Sequence, residues 1–159
     1  MNKKGVIWYQ GESNTSQPYE YAKLLPTMIS SWRKNFDQKK LPFIYAQLPN
    51  FMETNVEPTE SDWAVFRDMQ TKTLSVPATA MTVNIDLGDW NDIHPMNKKD
   101  VAKRLVLAAR RIAYNDRKVV CSAPLYKSMK IKGSKVEISF SGTERGLIVK
   151  NGNELKCFA

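Results

Sequence analysis

Apolar positions along the chain recur in two periods, and the order of those periods predicts the architecture. Gly5-Val6-Ile7-Trp8-Tyr9 is an unbroken apolar run that reads as a strand buried on both faces. It ends in a burst of polar groups, Gln10-Gly11-Glu12-Ser13-Asn14. Tyr21, Leu25, Met28, Ile29, Trp32 and Phe36 then recur at helical spacing, with Pro26 predicting a kink or a start nearby. Leu41 to Leu48 predicts a second strand, and Pro49 to about Pro58 a loop over the strand ends. Ser61 or Asp62 can cap a helix through Trp63, Phe66, Met69, Gln70 and Leu74, which Pro77 ends. Ala78 to Asp86 predicts a third strand, followed by a polar loop to Met96. Asn97 then stands as N-cap, with Asp100 in the capping-box position and Val101, Leu105, Ala108, Ala109 and Ile112 down one face. Strand–helix alternation of this kind predicts an α/β fold with parallel strands and right-handed crossovers.

After Asn115 the texture changes. Val119 to Cys121 and Tyr126 to Ile131 alternate weakly, Gly133-Ser134 marks a turn, and Val136, Ile138 and Phe140 alternate with polar residues. Leu147 to Val149 with Asn151-Gly152 predicts one more strand and a hairpin turn. This is the pattern of an antiparallel β module, and the expected division of the chain is 1–117 and 118–159.

Composition narrows the class. With 159 residues and 42% apolar content the chain can build a core, so wholesale disorder is excluded. No apolar run has the length of a membrane helix, and the run after Lys3-Lys4 is too short for a signal peptide. Cys121 and Cys157 are too few for a disulfide framework, and one His with two distant Cys does not make a zinc site. The net charge of +8 is unevenly spread. Residues 1–95 hold 9 Lys/Arg against 11 Asp/Glu, whereas residues 96–159 hold 15 against 5. The basic helix face Lys98, Lys99, Lys103, Arg104, Arg110, Arg111 admits a second functional reading, a binding module for acidic glycans or nucleic acid. It lacks the interleaved aromatics that nucleic acid binding favours.

Two segments carry candidate chemistry. His94 is the only histidine, set in the loop before the capped helix near Asp86, Asp89 and Asp92. An imidazole takes and returns protons near neutral pH, and a carboxylate on its far nitrogen fixes the tautomer. A plain surface histidine is the competing reading. In the second segment, Glu12 can orient a histidine or hold a hydroxyl, and Gln10 or Asn14 can donate to an oxyanion. Ser13 is a weak nucleophile candidate, because Thr15 replaces the second glycine of a nucleophile elbow. Arg67, beside Asp68, reads first as a surface arginine.

Taken together, Gly5 to Asn14, Ser31-Trp32-Arg33, Leu41-Pro42-Phe43 and Asp92-Ile93-His94-Pro95 resemble one family. It is the sialic-acid-specific 9-O-acetylesterases, which stand with acetyl xylan esterases among the SGNH (GDSL-like) serine hydrolases. The resemblance runs from Gly5 to about Asp116. It implies a flavodoxin-like, three-layer α/β sandwich with a parallel sheet, incomplete here and followed by part of the β module. It also implies removal of acetyl groups from sialic acid or related sugars by Ser-His-acid acyl transfer, with no cofactor and no metal. His94 matches the catalytic histidine, and Glu12 matches a carboxylate implicated beside it in the related xylan esterases. The family's usual acid position is held by Asn91, with Asp92 one residue later, so the third triad member stays open between Asp92 and Glu12. Gln10 and Asn14 are the expected substrate or oxyanion contacts. The family's nucleophile lies in a Gly-Gln-Ser-like block before the Gln-Gly-Glu strand, and no such block precedes Gly5. The expectation is a C-terminal portion of a longer esterase, inactive by itself, whose missing segments balance the charge. Its expected partner is an O-acetylated sugar, with neither nucleic acid nor membrane, and its bare sheet edge predicts a homo-oligomer.

Overall fold

A computed structural model describes residues 3–143, 146–149 and 152. The chain divides into two compact units between Cys121 and Ser122.

The first unit is a parallel sheet with helices on both faces. Its elements are β1 (Val6–Trp8), α1 (Pro18–Asn35), β2 (Phe43–Ala46), α2 (Asp62–Lys72), β3 (Thr79–Thr82) and α3 (Lys98–Ile112). The sheet order is β1-β2-β3, with Val6 opposite Phe43 and Phe43 opposite Thr79. All three strands are shorter than the apolar runs that predict them, because pairing stops where the chain turns to its loops. Alternation then sorts the side chains. Trp8 meets Trp32 of α1 edge-on at 5.8 Å, and the Tyr45 hydroxyl donates to the Gln70 carbonyl of α2 at 2.9 Å. Ile44, Ala46 and Ala80 point the other way, into a cluster with Leu87 and with Val101, Leu105 and Ala108 of α3. Burying each of these larger aliphatic side chains contributes about 1.5–3 kcal/mol.

The caps fall where the sequence sets them. Ser61 accepts from the Ala64 amide, and Asn97 accepts from the Asp100 amide. α1 does not start near Pro26: Pro18 occupies its first turn and the helix runs on through Pro26. Tyr21, Leu25 and Ile29 are all buried along its face, and that packing offsets the bond Pro26 cannot make. At the foot of the sheet, buried Arg33 donates to the carbonyls of Leu41, Pro77 and Ala78 and ties α1 to the starts of two strands.

β1 is also a correction. The run was expected to be buried on both faces, but β1 is an edge strand and Ile7 is 58% exposed. α3 lies over β2 and β3, and Ile7 on that face stays exposed among the described residues.

The second unit contains the antiparallel pair β4 (Leu125–Lys132) and β5 (Lys135–Ser141). Gly133 makes the turn with φ +62°, a conformation that costs glycine nothing. Val119 to Cys121 and Leu147 to Val149 are not strands. Asn151 and Cys157 lie outside the described residues. The whole is mixed α/β, with a three-stranded parallel sheet and a separate antiparallel pair.

Candidate active site

Because the strands are parallel, the segments after β1, β2 and β3 all leave from one edge of the sheet. Gln10 to Asn14 follows β1, Gln47 to Glu60 follows β2, and the loop carrying His94 follows β3. Open α/β sheets bind ligands at this edge.

The β1 exit is a tight polar turn. Gly11 has φ +150° and sits so close to α2 that a Cβ there would lie 2.7 Å from the Phe66 ring. Residues Glu12–Asn14 form one turn of 3-10 helix. The Gln10 amide donates to Asn14 Oδ1 at 2.7 Å, and the Tyr21 hydroxyl reaches both Gln10 oxygens at 3.2 Å. Gln10 and Asn14 are therefore brought together and held from α1. Burial pushes the Tyr9 phenol above its ordinary value, and the nearby Glu12 charge adds to the rise. Tyr21 is raised by burial as well, with a further contribution from Glu12. The Glu12 carboxylate thus shares its surroundings with Tyr9 and Tyr21. Ser13 is exposed on this turn.

The β3 loop presents His94 from an anchored backbone. Asp92 Oδ1 accepts from the His94 backbone N–H at 2.7 Å, an Asx turn, and the next residue, Pro95, is fully buried. The His94 side chain itself is exposed. Among the described residues, neither Asp92 nor Glu12 bonds the imidazole, so the structure unites Asp92 with the His94 backbone and leaves the ring without a carboxylate partner. A link to the β1 exit comes from the next helix: Lys98 of α3 stands 5.3 Å over the Tyr9 ring. It spans from the helix that follows His94 to the residue before Gln10-Gly11-Glu12.

The loops are also stitched to one another. The Met52 N–H donates to the Trp90 carbonyl at 2.8 Å, and the Gly88 N–H to Asn50 Oδ1 at 2.8 Å. Beneath them lies a group of buried amides, of which the helical stripe had already included Gln70. Gln70 Oε1 accepts from the Leu48 N–H at 2.9 Å, and Asn84 donates to the Gln47 carbonyl at 3.1 Å. Gln47 in turn donates to the Arg67 carbonyl at 3.0 Å. Polar residues at the ends of buried runs, two of them Gln, were the available signal. Arg67 is half-buried, and burial lowers its guanidinium from the ordinary value.

Three of the six basic residues named on α3 pair with carboxylates within the chain. Lys103 pairs with Asp100, Arg104 chelates Asp86 with two bonds of 2.6 and 2.8 Å, and Arg110 pairs with Asp116. Among the described residues, no cluster of His, Cys, Asp and Glu could hold a metal ion, and no helix is long and apolar enough to cross a membrane.

Comparison with known proteins adds lineage to this geometry. A family model described as carbohydrate esterase, sialic acid-specific acetylesterase, matches residues 2–111. The sialate O-acetylesterase of Mus musculus is 34% identical over 150 residues, covering 84% of this chain and 28% of that protein. The Homo sapiens sialate O-acetylesterase is 28% identical over 173 residues, covering 98% of this chain and 33% of that protein. A crystal structure of a carbohydrate acetylesterase from Xanthomonas citri superposes with a TM-score of 0.80 at 44% identity, over 88% of this chain and 33% of that one. The chain thus spans about a third of the length of these relatives. Matched over more than half its residues, the chain belongs to the sialic acid-specific acetylesterase family of carbohydrate esterases.

Proposed function

We propose that this chain supplies the histidine side of an acetylesterase that removes acetyl groups from sialic acid or a related O-acetylated sugar. In the working enzyme His94 accepts the proton of a serine hydroxyl carried outside these residues, then returns it to the departing sugar oxygen. Glu12 or Asp92 orients the imidazole, and Gln10 and Asn14 contact the substrate or the oxyanion. The chemistry needs no metal or redox group, because the nucleophile, base and oxyanion donors are all protein groups. By itself the chain has negligible turnover.

The observation that carries the reading is the shared edge: the Gln10–Asn14 turn and the His94 loop leave the same end of one parallel sheet, from β1 and β3 on either side of β2, and Lys98 of the helix after His94 stands over Tyr9. The family match supports the reaction class.

Hydrolysis of p-nitrophenyl acetate tests it in two settings. The isolated chain should not exceed the buffer rate; fast turnover abolished by His94→Ala would instead make Ser13 the nucleophile. Grafted in place of the matching segment of the mouse sialate O-acetylesterase, the chain should support activity that His94→Ala lowers about 10²–10⁴-fold. An active graft indifferent to that substitution would refute the assignment.

A further inference from the structure

We infer that Met52 and Trp90 form a platform on which an uncharged pyranose ring of the substrate stacks. The loops after β2 and β3 bring their backbones together, the Met52 N–H donating to the Trp90 carbonyl at 2.8 Å. Trp90 is 55% exposed and Met52 50%. Single exposed apolar residues are common on any surface. These two come from separate loops, and each is fixed by its surroundings. Phe51 packs on Trp63 of α2 at 5.2 Å, and the Trp63 indole donates to the Pro49 carbonyl at 2.7 Å. Trp90 stands in the turn that the Asp89–Asp92 bridge closes, with Leu87 and Pro95 buried before and after it. Met52 has φ +73°, a left-handed conformation that a bulky side chain seldom adopts. A plain connector would put glycine or asparagine there. Strain of this kind collects at ligand clamps.

Position and charge name the occupant. The chain belongs to a carbohydrate esterase family, and Trp90 precedes His94 by four residues in the same loop. Their Cα atoms are therefore at most about 14 Å apart, within the span of a sugar and two side chains. A pyranose has a face of C–H bonds and a rim of hydroxyls, which suits an indole face and a thioether with Asp89 and Asn91 next to Trp90 in the chain. Glu53 and Asp89 adjoin Met52 and Trp90, both are exposed, and among the described residues neither pairs with a cation. Residues 50–62 and 83–97 contain no Lys or Arg. A carboxylate on the stacked ring would meet like charge. The platform rests on the proposed function and narrows it, favouring a neutral O-acetylated sugar over sialic acid itself.

Methyl β-glucoside and methyl β-glucuronide share a ring and differ by one carboxylate, so titrating each into the isotope-labelled chain by NMR separates stacking from charge. The glucoside should shift the Trp90 indole N–H signal. Trp90→Ala should weaken its binding about tenfold and Trp90→Phe only about threefold. The glucuronide should bind several-fold more weakly at low salt and recover when Asp89→Asn and Glu53→Gln are combined. Met52→Gly relieves the left-handed strain, so it should melt no lower than wild type yet bind the glucoside less well, a combination that a purely structural role would not give. An unshifted Trp90 signal, equal binding of the two glycosides at low salt, or normal binding by Met52→Gly would overturn the platform. In the graft on the mouse enzyme, Trp90→Ala should raise KM for a monoacetylated methyl glucoside far more than for ethyl acetate; an equal effect on both would overturn its part in the reaction. A graft inactive on every ester would overturn the proposed reaction, whereas the titration judges the platform by itself.

Discussion

Gly11→Ala probes the turn that delivers Glu12 to the sheet edge. A methyl group at Gly11 would lie 2.7 and 2.8 Å from two Phe66 ring carbons. Ordinary carbon contacts sit at about 3.5–4.0 Å, so the overlap approaches 1 Å. Phe66 cannot easily retreat: it is fully buried and packs on Tyr21 at a ring distance of 4.6 Å. Overpacking of this kind costs about 1–3 kcal/mol. The backbone adds a second term, since φ +150° with ψ −14° is strained for alanine by about 1–3 kcal/mol. The expected loss is therefore about 3 kcal/mol, a large part of the roughly 5–15 kcal/mol that holds a domain together. Urea denaturation should show the midpoint falling by about 1–3 M with the slope unchanged. Phe66→Leu shortens the offending ring, so the double variant should be less damaged than the sum of the singles by about 1–2 kcal/mol. The remainder is the backbone term. A loss under about 0.5 kcal/mol, or strict additivity of the two substitutions, would refute this account of the turn.

Three further outcomes follow from the same edge and from α3. Gly88→Ala should loosen the His94 loop, because its Cβ would fall against the Asn50 carbonyl and within 2.6 Å of Asn50 Oδ1 and 2.9 Å of Pro49 Cβ. We expect a loss of about 2–4 kcal/mol, counting the strained Gly88–Asn50 hydrogen bond, and faster amide exchange through residues 86–94; unchanged exchange would refute it. Gln70→Leu strands the buried Leu48 N–H and should cost about 1–3 kcal/mol in thermal unfolding, whereas a neutral result would mean that amide finds another acceptor. Asp116, held low by its bond to Arg110, and Asp100, held low by Lys103, stabilise α3 only while ionised. Their folded values lie below the ordinary 3.8, so the contribution is full above that pH and is lost as pH falls through the lowered values. Both lie at the surface and are partly exposed, so Asp100→Asn with Asp116→Asn should flatten the acid limb of the melting curve at low salt and do much less at high salt. An acid limb unchanged at low salt would refute the pairing.

The elements differed in how far they were legible. α3 could be read almost to the residue, because its signals are local: a 3.6-residue apolar stripe and an Asn97–Asp100 cap lie within one helix. Ser61 and the β4–β5 hairpin were legible for the same reason. The ends of β1, β2 and β3 were not, since a strand stops where its neighbour stops pairing. A helix start near Pro26 was one of two local readings, and it fails because Pro18 begins the helix and the buried Tyr21, Leu25 and Ile29 carry it through. At the candidate site, residue types singled out Gln10, Glu12, Asn14, Asp92 and His94. They could not distribute the partners, and the Asp92 carboxylate is bonded to the His94 backbone.

What the sequence determined by itself was therefore the alternation of strand and helix, the caps, and the kinds of polar group at the strand exits, all consequences of short-range periodicity and hydrogen bonding. Tertiary structure decided the rest. An apolar run does not encode how many neighbours it will have, so only the sheet order makes β1 an edge and exposes Ile7. Nor does chain distance bring Lys98 to Tyr9, or Phe66 against Gly11; the parallel crossovers do, by returning each helix across the strands it must cover.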